Sequence, residues 1–176
     1  MPIRRKLMKA ALVALLFAAS ALAQDSSGRV APACGPKNVS FDVKADASQH
    51  APAQPEPGKA LVYFIQEKPV GGCIGTCITR IGLDGAWAGA FAHKSWFSVS
   101  LEPGPHHLCM NPQAHFALGN LVGSASFTAE AGKVYYFGAR AVSTSVALDV
   151  DLEPLDGEQA KPLIASSPLS VSHPRK

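Results

Sequence analysis

From Ala60 onward the chain is a succession of short β-forming runs, broken by turn signals roughly every 8–12 residues. Ala60–Gln66 is almost continuously apolar and rich in β-formers, as expected of a strand buried on both faces. Ile78–Leu83 runs into Asp84-Gly85, a strong two-residue hairpin signal, and Trp87–Phe91 reads as the return strand with a bulge at Gly89. Trp96–Leu101, His106–Met110, Ser124–Thr128, Val134–Ala141 and Ser145–Leu152 follow, with turns at Pro103-Gly104 and Ala131-Gly132. Upstream, Val39–Val43 alternates apolar and polar residues and reads as a short edge strand. Seven or eight short strands at this spacing predict an all-β fold, an antiparallel β-sandwich. Only Asp156–Ile164 reads as helix, with Asp156 as its cap and Pro162 limiting it to a turn or two.

The formal charge of +3 misleads, because Arg4, Arg5, Lys6 and Lys9 all precede an apolar run. Without residues 1–23 the balance is 12 basic to 13 acidic side chains. That removes the basic patch that nucleic-acid binding needs. Basic residues 1–9, an apolar stretch from Ala10, and small residues at Ala21 and Ala23 form the layout of a secretory signal peptide. The apolar stretch is shorter than the ~20 residues that cross a bilayer, and no later segment approaches that length. Cleavage is expected after Ala23, giving a periplasmic or secreted chain without a transmembrane segment. Residues 24–57 then form a Pro-rich extended segment, 58–165 the β-sandwich domain, and 166–176 a tail that frays or lies extended on the domain.

Export changes the meaning of the four cysteines, Cys34, Cys73, Cys77 and Cys109. An even count in an oxidising compartment favours disulfides. Cys73–Cys77 together with Cys34–Cys109 is the preferred pairing. Crossed pairings, with Cys73 or Cys77 joined to Cys34 and the other to Cys109, stay open.

Chemistry-bearing patterns are sparse. His106, His107 and Cys109, with Cys73 and Cys77, contain the ingredients of a Cys/His metal site, yet adjacent strand residues point to opposite faces. Serine, histidine and aspartate occur without the G-x-S-x-G context of a hydrolase, and no phosphate-cradling glycine motif is present. The chain is therefore read as non-enzymatic and without a cofactor. Trp87 and Trp96, with Tyr63, are candidates for a ligand-stacking face. Simple alternation puts Trp87 on the same face as Gly89, and turns Trp96 outward, away from Phe97, Val99 and Leu101.

The order Gly58-Lys59-Ala60-Leu61-Val62-Tyr63-Phe64, Leu83-Asp84-Gly85, Ser95-Trp96-Phe97-Ser98-Val99, Pro103-Gly104-Pro105-His106-His107 and Ala131-Gly132-Lys133-Val134-Tyr135-Tyr136-Phe137 resembles a family of exported bacterial domains, the domain of unknown function 2846. The resemblance covers about residues 58–165 and rests on turn and core positions. It implies a small β-sandwich and carries no activity, substrate or catalytic residue. Trp96 stands where that family usually has Tyr, and the cysteine-bearing loop 71–77 looks like an elaboration. The expectation is an exported accessory or binding module of the cell envelope, with an envelope protein or glycan as partner. A periplasmic metal-binding protein and a glycan-binding module are the alternatives.

Overall fold

The structure is a computed structural model that describes residues 34–48, 54–68, 78–113, 121–143 and 148–175. Among these described residues ten strands form two sheets, which do not close into a barrel. The strands are β1 (Phe41–Asp46), β2 (Ala60–Gln66), β3 (Ile78–Leu83), β4 (Ala86–Ala92), β5 (Ser95–Leu101), β6 (Gly104–Gln113), β7 (Gly123–Ala129), β8 (Val134–Ser143), β9 (Leu148–Leu155) and β10 (Leu169–Pro174). Helix α1 (Gly157–Ala165) lies between β9 and β10 in the chain. The larger sheet has the order β1-β10-β5-β2-β8-β9, and the smaller β4-β3-β6-β7.

The apolar periodicity of the strands explains the core. Val62, Phe64, Phe97 and Phe137 face Ile81, Phe91, Leu108 and Met110 across the space between the sheets. Phe64 sits in register with both Phe97 and Phe137, so three rings form a row across β5, β2 and β8. The odd-numbered residues of β2, Leu61, Tyr63 and Ile65, point the other way. They are buried as well, because Ala160 and Ile164 of α1 pack on them. The two-sided burial expected of β2 is thus supplied by a sheet on one face and a helix on the other.

Local signals place the turns. Asp84 and Gly85 both have positive φ, 50° and 89°, as a two-residue hairpin requires. The register of β3 against β4 skips at Trp87–Gly89, a bulge that leaves Ala88 unmatched. The two sheets meet closely along both sides. Ala90 and Ala92 of β4 donate their N–H groups to the hydroxyls of Ser172 and Ser170 on β10, at 3.0 and 3.4 Å. On the opposite side Gly123 lies so near β9 that a Cβ would come within 2.5 Å of the Val150 carbonyl oxygen.

Two expectations are corrected. Among the described residues ten strands form instead of seven or eight, and the two-sheet fold is not purely antiparallel: β2 pairs parallel with β8, and β10 touches β5 in parallel at Leu169 and Trp96. These partners are distant in sequence, so no tight turn constrains their direction. The C-terminal tail lies extended, as β10 inside the larger sheet between β1 and β5. Pro168 precedes the strand and Pro174 ends it opposite Phe41. Phe41 directs its N–H and C=O to the Gln113 side-chain amide, so Pro174 owes it no donor. Finally, α1 runs nine residues, as many as the expected Asp156–Ile164, but it continues through Pro162, which does not limit it to a turn or two. Its start is secured by a capping box in which Asp156 accepts from the Gln159 N–H at 2.8 Å.

Candidate functional site

Three places gather side chains with chemical potential. The first is the outer face of the smaller sheet, where residues 34–40, which lead into β1, lie as a strap. The Cys34–Cys109 disulfide joins that strap to the middle of β6, with Cα atoms 5.1 Å apart. Trp87 Nε1–H donates to the Pro36 carbonyl at 2.9 Å, and Arg80 Nη1–H to the Val39 carbonyl at 2.5 Å. Arg80 also donates from Nη2 to Asn111 Oδ1, and its guanidinium carbon lies 4.6 Å from the centroid of the Trp87 ring. Gly35 is required here, since a Cβ would fall 2.5 Å from Trp87 Cδ1. Burial holds the Arg80 pKa below its usual value.

The second place is the corner made by the β3–β4 turn and the start of β6. Asp84 accepts from the His107 backbone N–H at 2.8 Å through Oδ1, and faces His106 Nδ1 at 2.7 Å through Oδ2. His106 Nε2 faces the Glu102 carbonyl at 2.8 Å. Both neighbours of the His106 ring are acceptors, so only the doubly protonated imidazolium satisfies both. Burial alone would lower the His106 pKa, but the bonds to Asp84 and Glu102 outweigh it, and the net direction is upward. Burial likewise pushes Asp84 up, and the His107 N–H and the His106 ring together bring it below the usual carboxylate value. His107 points to the other face and meets the Ser126 hydroxyl at 2.9 Å. The corner's carboxylate serves the neighbouring histidine, so Ser126, His107 and Asp84 do not line up as a relay.

The third place is a groove of about 550 Å³ on the outer face of the larger sheet, beside α1. Ile65, Leu155 and Leu163 give it apolar walls over a floor opened by Gly138, where a Cβ would come within 3.2 Å of Leu155. Its rim is charged: Glu67 and Lys68 at one side, and Arg140 paired with Glu153 at 2.5 Å at the other.

The candidate metal residues His106, His107 and Cys109 are not brought together. The two rings diverge, as strand geometry requires, and Cys109 is bonded to Cys34. Among the described residues no group of three His, Cys, Asp or Glu side chains converges to hold a metal ion. Nor do the tryptophans share a ligand face, because Trp87 lies on the smaller sheet and Trp96 on the larger. The β4 bulge breaks the alternation that had put Trp87 with Gly89. Trp87 stacks outward on Arg80, while a Cβ on Gly89 would meet Phe97 in the core. Trp96 does turn away from Phe97, but it is only 4% exposed. Its ring tilts onto Tyr63 at 5.5 Å, and its Nε1–H donates to the Ser167 carbonyl at 3.0 Å. Of the expected cysteine pairings, Cys34–Cys109 is present, whereas Cys73 and Cys77 lie outside the described residues.

Sequence reasoning passed over Arg80 and the groove. A charged residue in the centre of the apolar strand Ile78–Leu83 was the available signal for Arg80. The groove had none, since it joins residues of β2, β8, β9 and α1. No protein-family model matches the chain, and neither a curated protein nor a solved structure does so.

Proposed function

We propose that the chain is an exported, non-enzymatic binding module of the cell envelope, and that it binds its partner in the groove beside α1. The groove carries the reading: apolar walls from Ile65, Leu155 and Leu163 meet a rim of fixed charges at Arg140 and Glu153. Concave sites of this size, mostly apolar with a few placed polar groups, suit the burial of a small ligand or a partner's side chains. The rim's opposite charges favour a partner that carries both an apolar body and a polar end. The Cys34–Cys109 bond supports export, since such bonds persist in oxidising compartments. No helix among the described residues is long and apolar enough to cross a membrane. Cleavage after Ala23 and the likeness of residues 58–165 to the exported family belong to the same proposal.

The test is a photo-crosslinking residue placed at Arg140, within the groove, or at Val122, outside it, in chain exported to the bacterial periplasm. The expected result is a discrete adduct from position 140 and none from 122, on chain whose mass corresponds to a start at Gln24. Equal adducts at both positions, or none at 140, would overturn the groove as the binding site. An uncleaved, cytoplasmic chain would overturn export.

A further inference from the structure

Arg80 is held in an unusual way. Its residue is only 9% exposed, yet all the partners it meets are neutral: the Val39 carbonyl, the Asn111 amide oxygen and the Trp87 ring. Its Nε–H has no acceptor, and among the described residues no carboxylate lies within ion-pair distance of it. Burying a guanidinium without an anion is expensive, and an apolar side chain would pack there at less cost. The charge is thus poorly explained by stability alone.

One partner, the Val39 carbonyl, belongs to the strap and not to the sheet. It places an oxygen on the guanidinium, where a carboxylate oxygen would sit. Pro36, also in the strap, occupies the Trp87 indole N–H. The strap reaches the sheet through a covalent bond at Cys34 and through these directed hydrogen bonds, and is anchored at its far end where Phe41 of β1 bonds the Gln113 side chain. Without it, the sheet would present a guanidinium edge and an indole N–H, with the indole as one wall, while Asn111, which donates to the Leu121 carbonyl and accepts from Arg80, holds the guanidinium in place. A planar guanidinium of this kind matches the two oxygens of a carboxylate.

We propose that the Cys34–Ser40 strap is a redox-released cover over a carboxylate-binding site formed by Arg80 and Trp87. A dithiol reductant opens it: the Cys34–Cys109 S–S bond takes two electrons and two protons to give two thiols, and the dithiol closes to its own disulfide. The strap then lifts, and a carboxylate replaces the Val39 oxygen on Arg80. The site lies on the opposite sheet from the groove and does not depend on it.

The experiment follows the Trp87 indole N–H resonance in the full mature chain during titration with sodium acetate at constant ionic strength. Trp87→Phe assigns the resonance. In the oxidised chain acetate should leave it unmoved. After reduction, or in Cys34→Ser, it should first leave its strap-bonded position and then shift saturably with acetate. Adding Arg80→Gln to Cys34→Ser should weaken that response at least tenfold. Gly35→Ala gives a second route, since its Cβ forces the strap from Trp87 with the disulfide intact, and it should open the site to acetate without reductant. The proposal is overturned if the resonance keeps its oxidised position after reduction. It is equally overturned if the acetate response survives Arg80→Gln, if inorganic phosphate binds in preference to acetate, or if Cys34→Ser and Gly35→Ala both unfold. The last result would make the strap part of the fold and not a cover.

Discussion

The two outer faces of the sandwich are covered in opposite ways. On the larger sheet, α1 covers Leu61, Tyr63, Ile65 and Trp96 by apolar packing through Ala160 and Ile164. On the smaller sheet, the strap covers Arg80 and Trp87 through two directed hydrogen bonds and one disulfide. Apolar burial is non-directional and spread over many atoms, so no single bond controls it. A cover held by a covalent bond and a few hydrogen bonds is conditional on each of them. The helix face is therefore the permanent side of the molecule, and the strap face the switchable one.

The largest expected effect tests the permanent side. Trp96→Ala removes a ring buried against Tyr63 and the C-terminal segment, and truncations of this kind cost about 3–5 kcal/mol. The melting temperature should fall by about 10 °C or more. A fall of only a degree or two would show that the helix cover contributes little and would break the contrast. Next comes Cys34→Ser. The bond spans 75 residues, and the chain-entropy model gives it about 4 kcal/mol. That loss should be local as well as global: amide exchange should rise around Phe41 and Val39 before it rises in α1. Equal acceleration in both would mean that the strap and the helix belong to one cooperative unit. Smaller again is Asp156→Ala, which removes the helix cap at a cost of about 1 kcal/mol. It should accelerate exchange in the first turn of α1 and leave the strap amides unchanged.

The same contrast explains what could be read from the chain. Strand positions follow from alternation and turn chemistry, which are local, so Ala60–Gln66, Ile78–Leu83 and the Asp84-Gly85 turn all appear where expected. The helix cap at Asp156 is equally local. What failed depends on tertiary partners. Trp96 points outward as alternation requires, but only the placement of α1 and Ser167 makes that outward face dry. Trp87 and Gly89 part company because one bulged residue shifts the alternation of β4. The choice between a frayed and an extended tail was not local, because the Gln113 side chain, more than 60 residues upstream of Pro174, supplies the bonds that let a proline end the strand. The candidate site suffered most: Arg80 is legible as a charge in an apolar strand, but its neutral cage draws on residues 39, 87 and 111.

The smallest effect concerns pH, and it sharpens the contrast from the strap's side, since the Asp84–His106 corner lies on the smaller sheet's hairpin. His106 titrates higher in the folded chain than its ordinary 6.5, so its contribution is complete below 6.5 and is lost as pH rises through the folded value. Asp84 titrates below its ordinary 3.8, so its contribution is complete above 3.8 and is lost as pH falls through the folded value. The pair thus stabilises most between about pH 4 and 6.5. Asp84 is 43% exposed, so solvent screens the pair, and exposed pairs contribute only about 0.2–1 kcal/mol. Asp84→Asn tests this cleanly, because asparagine accepts the positive φ of 50° at that position. The melting-temperature gap between the parent chain and the variant should be widest in that window, a degree or two, and should narrow above it. His106 should also titrate at lower pH in the variant. A gap independent of pH would mean that Asp84 acts only through the His107 N–H, as a turn residue. The hairpin corner would then have no proton dependence.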